Sequence, residues 1–353
     1  MHHSFFRTVS WLMLIFFFCP NAKGQEGGSP SVLFGSDSVL ELRFTGNVRD
    51  LFNDRSDKMQ YHSLVLSYNT EQGMVSFPIK AKTRGHFRRT SGSCDYPPIL
   101  LNFTSSKNQS TLFDHQTKLK LVCPCRGENY VIREYLVYRL YNLLTSESYR
   151  ARLVHVVFRD SIKKKETAFH GFLLEEDEEM AKRNHTRLLK TTNWASENTD
   201  TSSFLKMVVF QYLIGNTDWS VPYLHNIRLI SKDSLLPPSV VPYDFDHAGI
   251  VDAPYALPPE ELGLQSVQER RFRGYCIDAK AFDEVVETFN RLKKDLYNVY
   301  LNCPLLDAHY LSSTIRYMEQ FYTTINDRRR LHQAFSFPCY NSNIIIKGMD
   351  KQR

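Results

Sequence analysis

Leu213-Ile-Gly-Asn-Thr-Asp218-Trp-Ser, then His225-Asn226-Ile-Arg-Leu-Ile, then Val241-Pro-Tyr-Asp244-Phe-Asp246-His-Ala-Gly249 is the stretch on which the reading of this chain turns. The apolar run from Phe204 to Ile214 predicts a buried helix that stops at Gly215. A loop then exposes Asp218, a short strand follows Asn226, and a second strand ends in two aspartates. Each acidic residue alone has an ordinary role, Asp218 as a turn cap and the aspartate pair as strand-end acceptors. Together, in this order, they form the set that phosphoryl transfer uses. One carboxylate orients a hydroxyl nucleophile, while an asparagine and a second carboxylate hold the cation that bridges nucleotide phosphates. Asp218 is the candidate base. Asn226, Asp244 and Asp246 are the candidate ligands of magnesium or manganese, hard cations that favour oxygen. A two-metal hydrolase would want more His and Asp ligands than this stretch supplies.

Working outward, the chain changes character along its length. Val39–Phe44, His62–Ser67, Val75–Lys82, Ile99–Phe103 and Lys118–Cys123 are short alternating runs separated by Asn, Gly, Ser and Pro, which predicts an antiparallel sheet. Tyr130–Leu144 has helical spacing, and strands are expected at Leu153–Arg159 and Ala168–Leu174. After Ser203 helices dominate, with long amphipathic ones over Ala281–Tyr300 and Leu311–Phe335. The fold class is therefore α+β, with a sheet-rich part up to Glu175 and a helical part after it. No internal repeat interrupts either.

Gly215-Asn-Thr-Asp218 with Asn226, Pro242-Tyr-Asp244-Phe-Asp246, and Lys82-Thr-Arg84-Gly85 leading into Ile99–Phe103 resemble the motifs of the atypical CotH-type spore-coat kinases and, more distantly, of HipA-type kinases. More closely, the chain looks like a family of exported bacterial proteins of uncertain function that shares these motifs. The resemblance implies a two-lobed protein-kinase-like fold, with an antiparallel-sheet-rich N-lobe over residues 39–175, a helical C-lobe over 176–340, and ATP between them. It also implies a strand lysine on the nucleotide, paired with a helix glutamate. Lys118 and Lys120 share one strand face and Glu134 lies one turn into the next helix, so Lys120 with Glu134 is the first choice. Leu173, Leu174 and Glu175 sit where base contacts are expected. Arg84, Arg88 and Arg89 stand where a glycine-rich loop would meet phosphates. Arg270 and Arg273 fall where an acidic substrate would dock. The sequence departs from the kinase pattern in two ways. No GxGxxG run exists, and Asp218 and Asn226 are three residues further apart than in the usual catalytic loop. Two functions follow: an exported phosphotransferase acting on a protein or cell-surface substrate, or a catalytically silent kinase-like protein of the envelope.

The N-terminus carries His2, His3 and Arg7 before an apolar run from Trp11 to Phe18, the pattern of a signal peptide, with Ala22 and Gly24 placing cleavage before Gln25. Residues 1–24 are thus expected to be removed, 25–38 to form a flexible mature N-terminus, and 341–353 a tail. Bulky Phe17 and Phe18 disfavour a lipid anchor on Cys19. No second apolar stretch of spanning length follows, so the expected location is periplasmic, cell-surface or secreted. Export makes disulfides the default for Cys94, Cys123, Cys125, Cys276, Cys303 and Cys339, with Cys94 reaching one of Cys123 and Cys125. No second cysteine pair or well-spaced histidine supports zinc. Of the 353 residues 42 % are hydrophobic and 13 % aromatic, ample for a large core, and the net charge of +6 is too small for its length to suggest nucleic acid as a partner.

Overall fold

The computed structural model describes residues 32–85, 87–90, 94–104, 108–277 and 279–336. The expected signal peptide and cleavage site, Cys339 and the expected tail lie outside the described residues. In chain order the elements are β1 (Leu40–Gly46), α1 (Val48–Asn53), β2 (His62–Thr70), β3 (Gly73–Thr83), α2 (Phe87–Thr90), β4 (Ile99–Asn102), β5 (Lys118–Val122), α3 (Glu128–Leu144), β6 (Ala151–Asp160) and β7 (Glu166–Leu174). They are followed by α4 (Asp177–Arg183), β8 (Arg187–Leu189), α5 (Thr201–Ile214), β9 (Ile227–Ser231), β10 (Ser239–Pro242), α6 (Asp283–Leu301), α7 (Ala308–Ile325) and α8 (Arg328–Phe335).

The class is α+β, but the first sheet is not the purely antiparallel one expected. Its strands run β1-β2-β3-β4-β5-β7-β6 and close into a barrel, because β1 pairs antiparallel with β2 on one edge and parallel with β6 on the other. Closure removes both sheet edges, which would otherwise offer unpaired backbone groups. Alternation along the strands fills the interior with Leu42, Phe44, Leu64, Leu66, Ile79, Leu101, Leu121 and Phe158. A second, larger core joins the outer face of β6 and β7 to α3, α5, α6 and α7. Helix α3 lies between barrel and helices, and the unbroken run of buried residues from Glu134 to Tyr138 shows that it is packed on more than one face.

Helix α5 is the axis of this second core. Asp200 caps its start by accepting the Ser203 N–H at 2.8 Å, and Gly215 ends it in the left-handed region at φ 67°. A Cβ at Gly215 would land on the Tyr317 hydroxyl, so both backbone and space require glycine there. The single long helix expected over Leu311–Phe335 is two helices. The chain breaks at Asn326, and Asp327 caps α8 by accepting the Arg330 N–H at 2.9 Å. A small antiparallel sheet, β10-β9-β8, frames the segment that carries Asn226 and the aspartate pair. No helix among the described residues is long and apolar enough to cross a membrane.

Cys94 is bonded to Cys125. Cys276 is also disulfide-bonded. Cys123 and Cys303, both candidates for bonding, are free: Cys123 faces the barrel interior as a small apolar side chain, and Cys303 is half-buried after α6. The Cys94–Cys125 bridge closes a loop with a sequence separation of 31. Its loss through Cys125→Ser is expected to cost about 4 kcal/mol by the loop-closure argument, read as a lower denaturant midpoint. An unshifted midpoint would show that the barrel rim holds without it.

Candidate functional site

Asp218 follows the end of α5, and its N–H is held by the Asn216 carbonyl oxygen Oδ1 at 3.0 Å. The residues that lengthen the loop form a closed turn. Ser220 and His225 exchange backbone hydrogen bonds of 2.9 and 3.0 Å, and Trp219 is buried at 3 % exposure. Arg273 donates to the backbone oxygens of Thr217 and Trp219 and lies over the Trp219 ring. Because the turn folds back on itself, Asn226 returns to Asp218 despite the longer spacing. Its Nδ2 donates to the Asp218 carboxylate at 3.0 Å and to the Asp218 carbonyl at 2.8 Å. This leaves Asn226 Oδ1 for another partner. His225 Nε2 meets the other Asp218 oxygen at 2.8 Å. Burial pulls the His225 pKa down, but the Asp218 hydrogen bond and charge outweigh it, and the net shift is upward.

Strand β10 delivers the aspartate pair to the same place. Phe245 is fully buried between Tyr138 and Phe210, so the flanking Asp244 and Asp246 turn towards the opposite side. Asp244 takes a left-handed conformation at φ 60°, and its N–H donates to the Tyr138 hydroxyl at 2.9 Å. Asn226 is left-handed too, at φ 51°. Two non-glycine residues held this way in facing segments are the kind of strain that collects at functional sites. The segment beyond is clamped to the end of α5 by Gly249 and Ile250 amides on the Gly215 and Ile214 carbonyls.

The partner of Glu134 is Arg88, not Lys120. The Arg88 guanidinium lies 3.0 Å from Glu134 Oε2, 2.7 Å from Asp246 Oδ2 and 3.6 Å from Asp244 Oδ1. Burial pushes the Glu134 carboxyl above its ordinary value, with Arg88 opposing and the two aspartates adding to the rise. Burial likewise raises Asp246, but Arg88 and His247, with hydrogen bonds from Arg88 and the Tyr255 hydroxyl, bring it below its ordinary value. Desolvation and the Asp246 charge hold Asp244 above its own. Asp246 and Glu134 are enclosed, whereas 48 % of the Asp244 side chain is open to solvent.

Lys120 is committed elsewhere. Its ammonium pairs with Asp177, which also accepts the Tyr149 hydroxyl at 3.0 Å and Arg228 Nε at 2.7 Å. Arg228 in turn lies over the Tyr243 ring and donates to its hydroxyl at 2.6 Å. This chain of contacts ties β5 to the start of α4, to β9 and to the residue before Asp244. Burial pushes the Lys120 pKa down, and although burial acts against Asp177, Lys120 and Arg228 drive that carboxyl well below the usual range. The Glu175 carboxylate is spent on Arg183, at 3.0 and 2.9 Å, and on the Arg150 N–H at 3.0 Å, so its side chain pins the end of the barrel rather than facing a base. Leu173 and Leu174 are buried in the two cores. Lys118 shares the Lys120 face but is exposed at the strand start. Arg89 is buried against backbone oxygens of Gly85, Arg55 and Ser56 and has no route to a phosphate. Arg270 stacks on Tyr317 and donates to the Leu213 and Tyr317 carbonyls, which, with the Arg273 contacts above, makes both arginines pins of the loop rather than substrate anchors. Arg84 makes no side-chain hydrogen bond or ion pair among the described residues, yet its charge is felt by both Asp244 and Lys120.

Among the described residues no group of three or more His, Cys, Asp or Glu side chains forms a ready metal cage. Magnesium does not ask for one, since it is commonly held by one or two carboxylates together with phosphates and water. The half-open Asp244, the spare Asn226 oxygen and the surplus of carboxylates over Arg88 suit such an ion.

No family model matches the chain, and no curated protein matches it. Solved structures with a distant likeness include the following two. The Helicobacter pylori proinflammatory kinase CtkA is 12 % identical, with 68 % of this chain and 92 % of that one covered at a TM-score of 0.39. HipA in the HipA, HipB and operator DNA complex of the Shewanella oneidensis MR-1 toxin–antitoxin system is 11 % identical, with 80 % and 66 % covered at a TM-score of 0.31.

Proposed function

We propose that this chain is an exported, two-lobed kinase-like phosphotransferase that moves a phosphoryl group from ATP to a hydroxyl of a protein or cell-surface substrate. The observation that carries the reading is the convergence of Asp218 and Asn226 with Asp244 and Asp246. The amide of Tyr243, the residue before Asp244, donates to the Asn226 carbonyl at 3.0 Å, and Asn226 in turn holds Asp218, although β9 and β10 separate the two segments in the chain. Asp218 is the base that receives the substrate hydroxyl proton, held in orientation by His225 and Asn226. Asp244 and Asn226 are the residues for magnesium or manganese, with Asp246 behind them; the bound ion would supply charge neutralisation on the phosphates. Arg84, with no side-chain hydrogen bond or ion pair among the described residues, is the cation available to the nucleotide. The barrel and the helical core supply the two walls of the cleft.

One observation favours the alternative of a silent, kinase-shaped envelope protein. Lys120, the strand lysine, is locked to Asp177 and Arg228 and does not reach Glu134. Transfer of labelled γ-phosphate to protein or to cell-surface extract, dependent on magnesium or manganese and lost in Asp244→Ala, is the expected result for the active reading. Labelling by the wild type no greater than in its absence would leave the silent one standing, and equal transfer by wild type and the Asp244→Ala variant would overturn the role given to Asp244.

A further inference from the structure

We propose that Arg88 is the resident counter-ion of the Asp244–Asp246 pair, competing with the divalent cation for those carboxylates, and that Glu134 sets the metal affinity by drawing Arg88 aside. This rests on the assignment of Asp244 to a metal ion. The guanidinium is the only positive group in direct contact with Asp244 or Asp246 among the ion pairs of the described residues. It is 11 % exposed and touches three carboxylates at once. One positive charge cannot neutralise three acids, and the sharing is unequal. Glu134 and Asp246 take the short contacts, while Asp244 Oδ1 stands at 3.6 Å, beyond a hydrogen bond, and is the carboxylate left open to solvent. A cation arriving at Asp244 therefore finds an acceptor that Arg88 attracts but does not saturate. That cation must also overcome repulsion from the guanidinium beside it, in surroundings that screen charge poorly.

Glu134, on α3, contacts the same guanidinium nitrogen, Nη2, that faces both aspartates, and so competes with them for it. Neutralising Glu134 leaves Arg88 to Asp244 and Asp246 alone and strengthens its competition. Neutralising Arg88 removes the competitor. The two substitutions therefore act on metal affinity with opposite signs, whereas a purely structural ion cluster would lose affinity in both.

The test is calorimetric titration of Mn²⁺, without nucleotide, into the disulfide-intact chain and its Arg88→Gln and Glu134→Gln variants, with circular dichroism confirming the fold of each. Arg88→Gln is expected to tighten Mn²⁺ binding by at least about tenfold, equivalent to about 1.4 kcal/mol, and Glu134→Gln to weaken it about threefold. If the wild type binds Mn²⁺ and Arg88→Gln binds it equally or more weakly, the counter-ion role is overturned while the phosphotransferase reading stands. If neither the wild type nor Arg88→Gln binds Mn²⁺, both the counter-ion role and the metal assignment fall. Should Arg88→Gln fail to fold, Glu134→Gln decides alone: unchanged or tighter binding overturns the proposal.

Discussion

Asp218→Asn is expected to lower phosphoryl transfer by about a thousandfold while leaving ATP affinity within about twofold, the size of effect that loss of a positioned general base produces. Asparagine keeps the shape of the side chain and can still accept from one of His225 and Asn226, so the closed turn from Trp219 to Leu224 keeps its place. What disappears is the negative charge that receives the hydroxyl proton. Because that group acts only as the hydroxyl is activated, kcat and kcat/KM should fall together, with KM for ATP unchanged. Single-turnover labelling beside equilibrium nucleotide binding separates the two quantities. Transfer at the wild-type rate would make Asp218 a clamp for the turn and nothing more.

Asp177→Ala is expected to destabilise the fold by about 3–5 kcal/mol, the usual cost of leaving buried charges without their partner. Removing this carboxylate strands Lys120, 5 % exposed, together with Arg228, which retains only its Tyr243 and backbone contacts. Lys120→Met should cost clearly less, since Asp177 keeps Arg228 and the Tyr149 hydroxyl. The order of the two variants in urea denaturation is thus a signature of the network. The same carboxylate gives an acid dependence. Its pKa in the folded protein lies below the ordinary value of 3.8, so its contribution is complete above that value and is lost as the pH falls beneath it. Asp177→Asn, which cannot titrate, should flatten that part of the stability profile. An identical acid limb in wild type and Asp177→Asn would place the acid sensitivity elsewhere.

The parts of this fold with strong local signals were legible in the residues. The runs Val39–Phe44, His62–Ser67 and Val75–Lys82 became β1, β2 and β3 with ends displaced by a few residues, because alternation is a property of each strand alone. Closure of the barrel was not legible. It depends on β1 finding β6 more than a hundred residues later, and a parallel seam leaves no turn to announce it. The break at Asn326 was missed because apolar spacing continues through it, although Asp327 followed by three arginines was a capping signal. The site shows the same division. The order Asp218, Asn226, Asp244, Asp246 brought the candidates together from sequence, while the partner of Glu134 did not follow from strand alternation. Lys120 does not reach Glu134, because Asp177, one acid within Glu175-Glu-Asp177-Glu-Glu, captures it. His225 and Arg228 sat beside Asn226 in plain view. Their roles appear only once the turn and the small sheet bring Asp218 and Asp177 to them.

The central claim is that Asp244 and Asp246 form a metal-dependent nucleotide site with Asn226 and Asp218. Its most direct test is isothermal calorimetry of ATP binding to the disulfide-intact protein with magnesium or manganese, beside an Asp244→Ala, Asp246→Ala double variant of confirmed fold. Binding that requires the metal and vanishes in the double variant is the predicted result. Absence of binding to the wild type, or binding that the double variant retains, would contradict it.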